Sequence, residues 1–169
     1  MDGFADKFNS AYQTGLGAKL GLFSWRDGDH DLAQELLTAM AKGQVDFTLA
    51  FRRLSDAAID PANLAEVRRM FTDPAAFDEW AGHWRLRIAA EPQDAATRRD
   101  AMRAVNPGFI PRNHRVEAVI EAAVNRDDFG PFEQLLTVLA KPYQDQPEFS
   151  HYADPPEPHE RVLETFCGT

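Results

Sequence analysis

Four places in this sequence carry residue types that chemistry uses. The first is Gly15-Leu16-Gly17-Ala18-Lys19-Leu20-Gly21, where glycines could let backbone amides close on a phosphate while a lysine neutralises it. Its spacing fits neither standard phosphate loop, and the residues before it do not read as the strand such loops require. A helix end or a turn is the expectation. The second is Asp128-Phe129-Gly130, with His114-Arg115-Val116 upstream. In protein kinases the Asp of that tripeptide holds magnesium, and a catalytic loop needs an Asp where Val116 stands, to accept a proton from the substrate hydroxyl. The intervening residues have the period of an amphipathic helix rather than a loop between strands. Asp128 is therefore expected to cap or precede a helix that begins near Pro131.

The third place is the histidines, five in all, with no H-E-x-x-H spacing among them. His151 and His159, with Asp145, Glu148, Asp154 and Glu157 nearby, could gather a cation, but a solvated acidic loop is the expectation. The fourth is Cys167, the one cysteine. It excludes an internal disulfide and any multi-cysteine zinc site. Near the end of the chain a thiol is accessible, which is where a thiolate can react. Nothing basic stands beside it to lower its pKa, so local sequence alone makes it an ordinary exposed thiol. No residue is assigned here as catalytic, cofactor-binding or metal-binding.

The elements that would position these residues read as helices. Leu32, Ala33, Leu36, Leu37 and Met40 share one helical face, and Phe47, Ala50, Phe51, Leu54 and Ala58 share another. Asp46 stands where an N-cap oxygen would satisfy free amides. Asp60-Pro61 and Asp73-Pro74 repeat a start signal, a capping acid followed by proline at the first helical position. Behind them run Leu64, Val67 and Phe71, then Phe77, Trp80, Ala81, Trp84 and Ile88. Val116, Val119, Ile120, Ala123 and Val124 form a later stripe, and Phe132, Leu135, Leu136 and Leu139 the last. Alternation of period two is missing, so no sheet is expected. No internal repeat is convincing. After Lys141 the texture changes: Pro142, Pro147, Pro155, Pro156 and Pro158 exclude a regular helix, while Tyr143, Phe149 and Tyr152 argue against a free linker. The expectation is an all-α helical bundle over 1–141, with 142–169 an extended Pro-rich tail laid on it, anchored by its rings and ending in a short helix around Val162, Leu163 and Phe166.

Composition sets the outer bounds. A length of 169 residues suffices for one substantial core, and two independent domains are not expected. Hydrophobic residues at 44% and charged residues at 27% describe an ordinary folded protein. A net charge of -9 argues against a nucleic-acid partner, which it would repel. Arg85-Leu86-Arg87 and Arg98-Arg99 are expected on solvated helix faces beside acids. No secretory signal and no run of about 20 apolar residues is present, so a cytoplasmic location without membrane attachment is expected.

Several segments, in order, carry a resemblance. They are Asn106-Pro107-Gly108-Phe109-Ile110-Pro111-Arg112-Asn113-His114, Pro142-Tyr143-Gln144-Asp145-Gln146-Pro147-Glu148-Phe149, Tyr152-Ala153-Asp154-Pro155-Pro156 and Phe166-Cys167-Gly168-Thr169. Together they resemble the C-terminal region of the selenoprotein O (SelO) family. Lys19-Leu20-Gly21-Leu22, Asp46-Phe47-Thr48 and Phe51-Arg52-Arg53-Leu54-Ser55 are similar to family sequence too, so the likeness extends over nearly the whole chain. The resemblance implies a protein-kinase-like fold that transfers AMP from ATP to Ser, Thr or Tyr hydroxyls of proteins with magnesium or manganese. It also implies a bacterial member several hundred residues long, whose nucleotide- and metal-binding residues lie upstream of this portion. The family's cysteine or selenocysteine near the C-terminus matches the place of Cys167, which makes Cys167 a redox candidate. The chain then reads as a truncated product or a fragment, not catalytic alone, with an upstream kinase-like lobe as its partner. Exposed apolar surface and self-association are expected where that lobe would pack. The alternative is a free-standing helical interaction module that binds a protein and performs no chemistry.

Overall fold

An apolar residue recurs at every fourth position in Phe4, Phe8, Tyr12, Leu16 and Leu20, which keeps one ridge along a helix. The computed structural model, which describes residues 2–162, forms that helix as α1 (Asp2–Leu20). It stops at Gly21, whose φ of +72° is left-handed, the conformation that glycine adopts at helix ends without a Cβ penalty. After a short loop come α2 (Asp29–Gly43) and α3 (Phe47–Ala57). Asp46 caps α3 by accepting from the Leu49 amide at 2.8 Å. A 3₁₀ turn (Pro61–Asn63) leads into α4 (Leu64–Arg68), which is only five residues long. Next are α5 (Pro74–Ala89), α6 (Ala95–Val105), α7 (Asn113–Arg126) and α8 (Gly130–Leu139). The Asp-Pro start signals behave as expected: Asp60 accepts from the Ala62 amide and Asp73 from the Ala75 amide. The described residues are helical with connecting loops, and none of them is in a strand.

The chain divides into two compact units, Met1–Asn106 and Pro107–Thr169. In the first, α2 packs on α5, α3 on α6 and α4, and the second half of α1 on α2, α3 and α6. The core is built around stacked Trp80 and Trp84, ring centroids 5.8 Å apart, with Phe77 and Phe71 continuing the stack. Each indole N–H finds a carbonyl at a helix end or start. Trp84 donates to Leu20 at 2.9 Å, and Trp80 donates to Leu32 at 2.8 Å. Buried indoles demand such partners, because an unpaired N–H in a core is costly.

The second unit closes a smaller core of Phe109, Val119, Leu135, Val138 and Tyr152 around α7 and α8. The Pro142 carbonyl accepts from the Gly108 and Phe109 amides, and Gln146 donates to the Val138 carbonyl at the end of α8. Tyr152 is buried, and its hydroxyl donates to Gln134 at 2.6 Å. Phe149 is half-buried beside it, whereas Tyr143 is exposed. The segment after Lys141 is not uniformly extended: it forms 3₁₀ helices at Pro147–Tyr152 and Pro158–Glu160. Each begins with proline, whose fixed φ suits a first helical position. Val162 is not helical, and the rest of the expected final helix lies outside the described residues, as does Cys167.

Three burial expectations are corrected. Ile120, Val124, Phe132 and Leu136 keep the helical spacing of their stripes but stay exposed, Val124 by 75%. A two-helix hairpin buries only its facing ridge, so a stripe wider than that ridge stays in solvent. Phe47 is likewise exposed, with its ring against that of its neighbour Phe51 at 4.6 Å between centroids. Arg98, expected in solvent, is 2% exposed, because a buried carboxylate holds it there.

Candidate functional site

The Gly15–Gly21 stretch is helix followed by a helix end, not a phosphate loop. Lys19, in the last turn of α1, donates to the Val105 carbonyl at 3.0 Å and to Asn106 Oδ1 at 3.2 Å. Its ammonium also lies 5.7 Å from the ring centroids of both Phe47 and Phe51. Burial lowers its pKa from the ordinary lysine value. Asn106, itself buried, returns a hydrogen bond to the Lys19 carbonyl at 3.0 Å and another to the Ser55 hydroxyl. The lysine thus pins the end of α1 to the end of α6.

Asp128 is exposed and accepts from the Gly130 amide at 3.0 Å in a local turn at the start of α8. His114 opens α7 and is buried, with an Nε2 that makes no hydrogen bond. Burial lowers its pKa, and Arg115 adds to the effect. It lines an open cavity of about 410 Å³ with Ile110, Pro156, Glu160 and Val162. Arg115 itself donates to the His151 carbonyl at 2.8 Å. His151 packs on Tyr152 at 4.4 Å between ring centroids. Among the described residues no group of three or more His, Cys, Asp or Glu is arranged to hold a metal ion.

The densest charge cluster was not legible from motifs. Glu91 accepts from the amides of Phe23 and Ser24, from the Ser24 hydroxyl and from Arg98 at 3.0 Å, with Arg87 3.1 Å away. Arg87 also binds Asp29 at 2.6 Å, and Arg98 reaches the Gly21 and Ile88 carbonyls. Asp29 accepts from the Arg26 amide, at 2.8 Å. Burial by itself would raise the Glu91 pKa, but the donors from Phe23, Arg98 and Ser24 outweigh it and hold the carboxyl at about 2. The four charges tie the loop after α1 to the start of α2, the end of α5 and the start of α6. The one sequence signal was the spacing of Arg87 and Glu91, four apart on a helix. Asp29, far away in sequence, could not be paired with them in advance.

The cluster lies beside a cavity of about 880 Å³, open to solvent, with Ala57, Gly82, Leu86 and Ile88 on its walls. Of the ionisable groups that line it, Glu91 and Arg98 are paired with each other. The resemblance implies ATP and a divalent metal for the complete protein; of the two motif residues that could have met a phosphate or a metal, Lys19 is engaged by Val105 and Asn106 and Asp128 by a backbone amide.

The family model described as protein adenylyltransferase SelO matches residues 1–140. The chain belongs to the SelO family. A protein nucleotidyltransferase YdiU from Rhodopseudomonas palustris is 68% identical over 169 residues, which is 100% of this chain and 34% of the relative. One with the same description from Bradyrhizobium diazoefficiens is 64% identical with the same coverage, and one from a Bradyrhizobium species is 62% identical. The chain therefore spans about a third of the length of these SelO-family relatives. Among the described residues no helix is long and apolar enough to cross a membrane.

Proposed function

We propose that this chain is the C-terminal helical portion of a SelO-type protein adenylyltransferase, contributing structure rather than reacting groups. In the complete protein a kinase-like lobe upstream would bind ATP and magnesium or manganese and move AMP to Ser, Thr or Tyr hydroxyls of protein substrates. A transferase that consumes ATP belongs where ATP is abundant, the bacterial cytoplasm. One observation carries the reading: a 68% match across the whole chain that covers 34% of the relative. The way this portion spends its charges supports it. Lys19, Asp29, Arg87, Glu91 and Arg98 all hold helix ends together, which leaves the stabilisation of a transferring adenylyl group to other residues. Cys167 is the redox candidate of the portion, through reversible oxidation with a cysteine outside this chain.

ATP-dependent AMP transfer, read by mass spectrometry on protein substrates, tests the proposal. The chain alone should transfer nothing. Joined to the remainder of the Rhodopseudomonas palustris relative, it should support transfer that the remainder alone performs poorly. Transfer by the purified chain, or a remainder equally active without it, would overturn the reading.

A further inference from the structure

The ridge of α1 continues past the body that buries it. Leu16 and Leu20 at its far end are core residues, and Tyr12 is half-buried, its hydroxyl accepting from Gln34 at 2.7 Å. Four and eight residues earlier the same ridge stands in solvent, with Phe8 58% and Phe4 77% exposed. The rings stack on one another along the helix, at 6.1 Å from Tyr12 to Phe8 and 6.4 Å from Phe8 to Phe4. Every residue from Gly3 to Ala11 is exposed. Such a helix half gains nothing from tertiary packing, and a few turns of helix are marginal by themselves in water. Two phenylalanines at helical spacing in open water are an anchor without a socket.

We infer that the Phe4–Phe8 face of α1 is the surface on which the remaining two thirds of the SelO-family protein docks. The inference rests on the proposed function for the existence of that remainder as one protein with this chain. The occupant follows from length and match. The family model includes this helix in its matched residues, 1–140, while the chain covers 34% of its relative. The ridge is thus part of the family fold, and most of that fold is outside this chain. A second copy of the chain would also cover apolar rings, and it is the outcome that the measurement below separates from docking of the remainder. Phe4 and Phe8 supply the large, stiff apolar contacts that carry most of the energy in such interfaces.

Hydrogen–deuterium exchange decides it, measured on the chain alone and on the chain joined to the remainder of the Rhodopseudomonas palustris relative. Amides of residues 3–11 should exchange at least about tenfold more slowly in the joined protein. Phe8→Glu in the joined protein should return them to the rate of the free chain, with amides of α2, α3 and α5 unchanged as the control for folding. If Phe8→Glu disturbs those helices, Phe8→Ala gives the same reading with a milder change. Equal exchange of residues 3–11 in both forms would overturn the inference. So would protection in the free chain that disappears on dilution, which identifies a second copy as the occupant. AMP transfer measured on the same joined protein separates the two claims. Transfer without protection sinks the docking surface alone; protection without transfer sinks the proposed function and leaves the surface standing.

Discussion

Replacing Glu91 by glutamine removes one negative charge from a buried cluster while keeping shape and most of the packing. The folded carboxyl titrates at about 2 against an ordinary value of 4.5, so its ionised form is favoured in the fold by about 2.5 pKa units, or ~3 kcal/mol. Because the folded value is depressed, this contribution is complete above pH 4.5 and is lost as the pH falls toward 2. At pH 7 Glu91→Gln should therefore cost ~3 kcal/mol, consistent with the few kcal/mol of breaking a buried ion pair. At pH 3 the linkage leaves roughly 1.4 kcal/mol of that difference. Out of a total stability of about 5–15 kcal/mol, the loss at neutral pH would be plain in urea unfolding. Trp80 and Trp84, buried and stacked in the same unit, report it by fluorescence. A cost below about 1 kcal/mol at pH 7, or a gap between the parent and E91Q proteins that fails to narrow with acid, would refute the reasoning. Either result would mean that the donors of Phe23, Ser24 and Arg98 do not favour the charge as their geometry requires.

Gly21→Ala should be among the most damaging small substitutions. A Cβ there would meet Met102 Sδ at 2.6 Å and Arg98 Cγ at 2.9 Å, on a backbone with φ of +72°. Left-handed strain and crowding together should cost on the order of 2–4 kcal/mol, read as a lower urea midpoint with unchanged slope. Cys167→Ser in the joined protein should abolish any dependence of AMP transfer on oxidant; transfer that still falls on oxidation and recovers with dithiothreitol would remove Cys167 from the redox proposal.

Much of the helix framework is readable without coordinates, and particular residues say why. Asp46, Asp60 and Asp73 cap the helices they precede because a side-chain oxygen near a free amide is a local arrangement, settled within three residues. The stripe of Phe77, Trp80, Ala81 and Trp84 is likewise buried as its period predicts. The whole of α6 does not stand out in the same way. Its apolar residues are few, and Arg98, charged in the sequence, turns out to be an interior position.

The sequence by itself determined that this chain is helical, where several of its helices start, and which family it resembles. These depend on neighbours along the chain and on ordered segments of characteristic residues. Only the tertiary structure decided which charged groups are buried, since Asp29 and Arg87 meet across 58 positions and Lys19 and Asn106 across 87. It also decided which apolar stripes are left without cover. The spacing of Phe4 and Phe8 is the same as that of Leu16 and Leu20, and a period cannot say where the body that buries it comes to an end.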